Sequence, residues 1–205
     1  MQHPLQCRCE TIKGFVQDPR TVNHALCYCR DCQAFAHFLG QENAVLDAIG
    51  GTEVVQVPPS SITITRGSAS LACMRLTEKG LLRWYADCCK TPIGNTLANY
   101  QFSFIGIVHN CLENAQVPIR DSFGPIGTYV NTNGAHVTPK PKSAGVGSGV
   151  YRILAIAARA RLNGDYQRNP FFSADGIPIA VPRILGREEL GSLMQAVSRA
   201  SIVRS

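Results

Sequence analysis

Polar and apolar residues alternate along SITIT (61–65), and the turn residues RGS follow, so a half-buried strand is expected there. LACMRL (71–76) and LLRWY (81–85) flank the turn EKG and continue the pattern as a meander. FSFIGIVH (102–109) reads as a further strand. Elsewhere the period lengthens. QAFAHFL supplies the apolar positions of a short helix, with Asp31 as its N-cap and Gly40 as its stop. Residues 150–162, VYRILAIAARARL, are apolar on one side and carry Arg152 and Arg159 elsewhere, and Asn163-Gly164 suits a helix end. In 187–200, Leu190, Leu193, Met194 and Val197 fall at i, i+3, i+4 and i+7. Glu188 and Glu189 stand in that first turn, where the helix dipole favours them. Between these regions, 121–149 is rich in Gly, Pro, Asn and Ser and reads as a long loop, lid or linker. The expected fold is therefore mainly β, with a helix-containing C-terminal extension, α+β overall.

Composition narrows this picture. With 205 residues, 45% of them apolar, the chain can bury a real core as one sizeable domain, or a compact domain of 1–110 plus an extension of 111–205. No window approaches the roughly 18 apolar residues of a membrane helix, so no membrane partner is expected. The N-terminus has no basic stretch followed by an apolar run, and the expectation is a cytoplasmic protein whose thiols stay reduced. The net charge of +6 is uneven: residues 1–136 hold ten basic and ten acidic side chains, residues 137–205 ten and four. That tail suits phosphate, carboxylate or a membrane surface, but also an ordinary solvated face. No basic run is interleaved with aromatics, which argues against nucleic acid.

Cysteines are the candidate chemistry. Five of the nine fall in the first 32 residues, as QCRC (Cys7, Cys9) and CYCRDC (Cys27, Cys29, Cys32). Nine cannot all pair, and residues one apart would close a strained ring, so metal binding is the better default. Zinc takes four ligands around a tetrahedron and thiolates suit it well. Cys88 and Cys89 follow the strand LLRWY, and together with Cys7 and Cys9 they can close a four-thiolate structural site. The CYCRDC trio offers three thiolates and leaves a fourth place for water or substrate, as catalytic zinc sites do. Arg30 and the helix N-terminus would stabilise its thiolates; without metal the trio is a cluster of oxidisable thiols. Cys73 and Trp84 read as core. Cys111 has no ligand spacing, and His24 and His37 read as packing or supporting residues near the trio.

C-x-C near the N-terminus, then C-x-C-x-x-C, then a strand ending in cysteines before Thr91-Pro92-Ile93, resembles the glutathione-dependent formaldehyde-activating enzyme (CENP-V/GFA) family, of Mss4-like fold. The resemblance covers about residues 5–110. It implies a structural zinc, held by the first C-x-C and a later C-x-x-C, and a second, catalytic zinc on Cys27, Cys29 and Cys32. The later motif matches at Cys89; its first cysteine falls on Ala86, with Cys88 as the substitute. Glu10 and Lys90 stand where the family usually has glycine. Adjacent residues point opposite ways along a strand, so a sharp turn is needed for Cys88 and Cys89 to share one ion. The alternative is that one of them faces the trio as a fourth ligand. The implied activity is that of a carbon–sulfur lyase joining a small thiol such as glutathione to formaldehyde. A non-catalytic zinc module, a thiol redox protein and a homodimer are the other expectations.

Overall fold

The computed structural model describes residues 1–19, 23–113 and 117–203. The fold is mainly β, with two sheets and five α-helices among those residues. Strands β1 (Gln2–Gln6), β2 (Lys13–Gln17) and β5 (Ile62–Arg66) form a small antiparallel sheet in the order β1-β2-β5. The large sheet is built from β3 (Asn23–Cys27), β4 (Thr52–Val57), β6 (Leu71–Arg75), β7 (Leu82–Ala86), β8 (Pro92–Thr96), β9 (Ile105–Val108), β10 (Thr128–Val130) and β11 (Arg183–Ile184). Its order is β10-β3-β4-β9-β8-β7-β6-β11. The two edge strands come from the C-terminal half and pair parallel to their neighbours; the six inner strands pair antiparallel.

Both faces of the large sheet are covered, which is why β7, β8 and β9 are buried at every position. Successive side chains of a strand point to opposite faces. On one face Val55, Cys73, Trp84, Ile93 and Ile107 meet Leu5 and Val16 of the small sheet and Ile12 of the turn before β2, joined by Phe171 and Phe172. On the other face Met74 and Tyr85 meet Phe35 of α1 (Arg30–Phe38), its C-cap Leu39, and Val197 of α5 (Arg187–Val203). Val54 and Val108 meet Ala36 of α1 and Val45 of α2 (Glu42–Val45) there as well. The core residue Cys73 and the core aromatic Trp84 are therefore as expected.

Helix α1 starts two residues earlier than the sequence suggested. Its N-cap is Cys29, whose Sγ accepts from the Cys32 N–H, and Asp31 lies inside the first turn. Gly40 ends it with φ 61, where the Gln41 N–H reaches Ala36 O and the Gly40 N–H reaches His37 O. That is the paired-bond stop that a left-handed glycine permits. The stretch 121–149 is less of a loop than its composition suggested. It contains the end of α3 (Ile119–Phe123), β10, and the start of α4 (Val146–Leu162). Gly149 lets α4 approach the sheet closely, since a Cβ there would meet Thr128 and Asn23 side chains at 3.1–3.2 Å. No helix among the described residues is long and apolar enough to cross a membrane.

Candidate metal centre

Seven of the nine cysteines gather into two groups. Cys7, Cys9, Cys88 and Cys89 form one and Cys27, Cys29 and Cys32 the other, the Sγ atoms of each group lying within 4.8 Å of one another. Both groups can hold a metal ion.

The quartet joins two turns. One follows β1: the Cys7 N–H bonds Ile12 O, the Glu10 N–H bonds Cys7 O, and the Ile12 N–H points at Cys7 Sγ at 3.3 Å. The other follows β7: the Ala86 N–H bonds Thr91 O and the Lys90 N–H returns to Ala86 O at 2.8 Å. This second turn is sharp enough to bring both Cys88 and Cys89 into the group, answering whether neighbouring cysteines can face one point. Each turn closes on a non-glycine residue in the left-handed region, Glu10 with φ 59 and Lys90 with φ 57. These are the two positions where glycine had been expected. Side-chain partners accompany the strained backbone: Glu10 pairs with Lys13 at 2.7 Å, and Lys90 pairs with Asp87 at 2.6 Å and lies over the Tyr85 ring. The Arg8 N–H stitches the turns together through Thr91 Oγ1 at 3.0 Å.

Sγ separations in the quartet are 3.6 Å (Cys7–Cys9), 3.9 Å (Cys7–Cys88), 3.2 Å (Cys9–Cys88) and 3.9 Å (Cys88–Cys89). Metal–sulfur bonds of about 2.3 Å in a tetrahedron place thiolates about 3.8 Å apart. The donor set and spacing thus fit a tetrahedral thiolate site. Two of the four thiols are already biased towards thiolate. Hydrogen bonds from Thr11 hold Cys9 down to about 6. For Cys89 burial acts upward, but the Thr91 hydroxyl and nearby backbone N–H groups outweigh it and the value is lowered. Burial raises Cys7, while desolvation and hydrogen bonding to Cys9 raise Cys88 to about 12.

The trio lies where β3 runs into α1. Cys27 ends the strand, Cys29 caps the helix and Cys32 stands in its first turn, so one change of secondary structure aims all three Sγ atoms at one point. Cys27 is 9% exposed. Its thiol is depressed to about 2, because the thiols of Cys29 and Cys32 and the amide of Asn131 donate to its sulfur. Cys29 is raised for the reciprocal reason, as the donor to Cys27. Cys32 is raised to about 11 by the same hydrogen bonding to Cys27 and by burial, against the pull of the Arg83 charge. Such a group gives up one proton readily and keeps the others until a cation replaces them.

Several supporting residues carry no motif. Asn131, left-handed at φ 55 just after β10, points its amide N–H at Cys27 Sγ at 3.3 Å. Gln33 is fully buried behind the trio. Its Nε2 meets the carbonyls of Tyr28, Gly50 and Gly134 at 3.0–3.1 Å, and its Oε1 accepts from His136 at 2.9 Å. No local pattern singles out Gln33, because most of its partners are remote in sequence. A left-handed Asn in VNTNG was the single local hint for Asn131.

Other candidates settle outside both groups. Cys111 is buried with its Sγ against the carbonyls of Ile93 and Val108. His24 bonds Gly124 O and pairs with Glu53 at 2.7 Å. His37 lines a surface concavity of about 510 Å³ with Tyr85, Lys90 and Arg183. Arg30 beside the trio is anchored to α5, donating to Ser198 Oγ at 2.8 Å and Met194 O.

Comparison with known sequences adds one finding: the profile of a family described as "Family of unknown function (DUF6151)" matches residues 1–181. A search of curated proteins gives no match.

Proposed function

The chain belongs to the DUF6151 family, whose description names no activity, and we propose that it is a two-zinc protein acting as a carbon–sulfur lyase on the adduct of a small thiol, of the glutathione type, with a small aldehyde. One observation carries the reading. Cys27, Cys29 and Cys32 offer three convergent thiolates, and among the described residues no fourth His, Cys, Asp or Glu joins them.

Zinc is the ion of choice because all the donors are soft thiolates in a reduced, tetrahedral-sized group. The quartet would hold one ion in a closed shell and pin the turn after β1 to the turn after β7, a structural role. The trio would hold the other with one position open. When bound there, zinc supplies a Lewis acid that lowers the pKa of an incoming thiol. The chain's own residues do the remaining work. The amide N–H of Asn131 and the backbone N–H of Cys32 each point at a trio sulfur, at 3.3 and 3.4 Å, and so hold the thiolates in place. The N-terminus of α1 adds its positive end to the same spot. Arg30 puts a fixed cation next to it, suited to a carboxylate of the thiol substrate.

The test is metal content. Anaerobically purified protein should contain two zinc ions per chain. Cys29→Ser should fold, hold one zinc and lose turnover of a hydroxymethyl thioadduct; turnover in that variant would move the chemistry elsewhere. Cys89→Ser should lose the other ion together with most of the soluble yield. A non-catalytic zinc module is the second reading, and the enclosure of Cys27 favours it. Two zinc ions with no thioadduct turnover would decide for that module.

A further inference from the structure

Arg83 of β7 is 2% exposed, an unusual place for a guanidinium. It lies on the helix side of the large sheet, since its neighbour Trp84 faces the small sheet. Nη1 donates to Asn95 Oδ1 at 3.2 Å, the guanidinium carbon stands 5.5 Å from the centre of the Phe35 ring, and Nη2 is 3.7 Å from Asp31 Oδ2. Nε has no partner. An enclosed cation is costly unless an anion compensates it. Asn95 and Phe35 carry no charge. Asp31 does, but its side chain is 60% exposed and its charge is largely screened by water. The partners Asp31 and Phe35 bracket Cys32 on α1, so the guanidinium is held against the turn that carries the trio, and among the described residues no other acidic side chain pairs with it.

We infer that Arg83 is the buried counter-charge of the Cys27–Cys29–Cys32 centre, a positioning residue that matches this centre to a divalent cation. The inference rests on the reading of the trio as a metal site. Arg30 and Asp31 are exposed and screened by water. Among the enclosed groups three thiolates carry −3 and the Arg83 guanidinium +1, so the pocket offers −2 and a dication makes it neutral. A monovalent ion would leave a buried negative charge and a trivalent ion a buried positive one. The quartet, whose Cys9 and Cys88 are exposed, has water to screen its charge and needs no such residue.

Chelator competition for zinc tests this, with the trio site assigned by comparison with Cys29→Ser. In Arg83→Gln the trio should bind zinc at least tenfold more weakly, while the quartet's affinity stays within twofold. The pH at which the trio half-releases its zinc should move up, because thiolates without a neighbouring cation hold their protons to higher pH. Arg83→Lys should restore most of the affinity, which a purely packing role for the side chain would not predict. Asp31→Asn is an exposed change that spares the core; it removes the carboxylate competing for Arg83 and should tighten the trio about twofold to threefold. Unchanged trio affinity in Arg83→Gln overturns the inference, as does equal weakening of both sites, or a trio in Asp31→Asn that is no tighter. A wild-type chain with no zinc on the trio would overturn the functional reading itself. Zinc on the trio that ignores Arg83 overturns the counter-charge alone.

Discussion

Single residues decide whether the quartet can close. Lys90 adopts φ 57, a conformation costing a non-glycine residue roughly 1–2 kcal/mol, and it does so to turn Cys88 and Cys89 to the same side. Lys90→Gly should therefore leave stability within about 0.5 kcal/mol of wild type, the relief of strain offsetting the lost pairing with Asp87. Lys90→Val should cost about 2 kcal/mol and loosen the quartet's metal, because a β-branched side chain tolerates this region worst. Denaturant unfolding of the metal-loaded variants distinguishes the two; equal stability of Gly and Val would show that the turn relaxes. Cysteine spacing was legible at this scale, as the seven cysteines grouped by sequence are the seven the fold brings together. The compensated left-handed residues were not. A missing glycine looks the same in sequence whether the turn is lost or strained.

Among the elements, α1 matters most, because its first turn carries Cys32 and its second face carries Gln33. That amide binds the loops around Tyr28, Gly50 and Gly134 to the helix. The segment 131–136, which brings Asn131 to Cys27, is held by the same residue. Gln33→Ala should cost about 3 kcal/mol, since it leaves buried carbonyls without a donor. It should also free Asn131 from Cys27, seen as faster hydrogen exchange across 130–136. Exchange confined to α1 would place the network's role elsewhere. The helix was visible from QAFAHFL and Gly40, but its start was misplaced. Asp is the usual cap, and nothing local reveals that a cysteine thiol takes that part here.

At the scale of the whole molecule, distant segments close the structure around the sites. His3 on β1 is fully buried, accepts from the Ser122 hydroxyl and donates to Leu112 O, and stacks edge-on against Phe123. Burial lowers its pKa from 6.5, so the fold holds it neutral while the unfolded chain protonates near 6.5. Below that pH the unfolded state binds the extra proton. The His3 contribution to stability is complete above about 6.5 and declines as pH falls towards the lowered value. His3→Gln should flatten the stability–pH curve between about pH 7 and 5 relative to wild type; parallel curves would remove His3 from that acid response. The sequence by itself determined the mainly β character, the C-terminal helices and the grouping of the cysteines, because alternation, helical period and ligand spacing are short-range properties of the chain. Tertiary structure alone decided that the C-terminal half supplies both edges of the large sheet. It likewise decided that Asn131 comes 104 residues along the chain to Cys27, and that Arg83 is buried against the first turns of α1. Those contacts join segments far apart in sequence, and the burial of two sheet faces at once, not any local pattern, selects them.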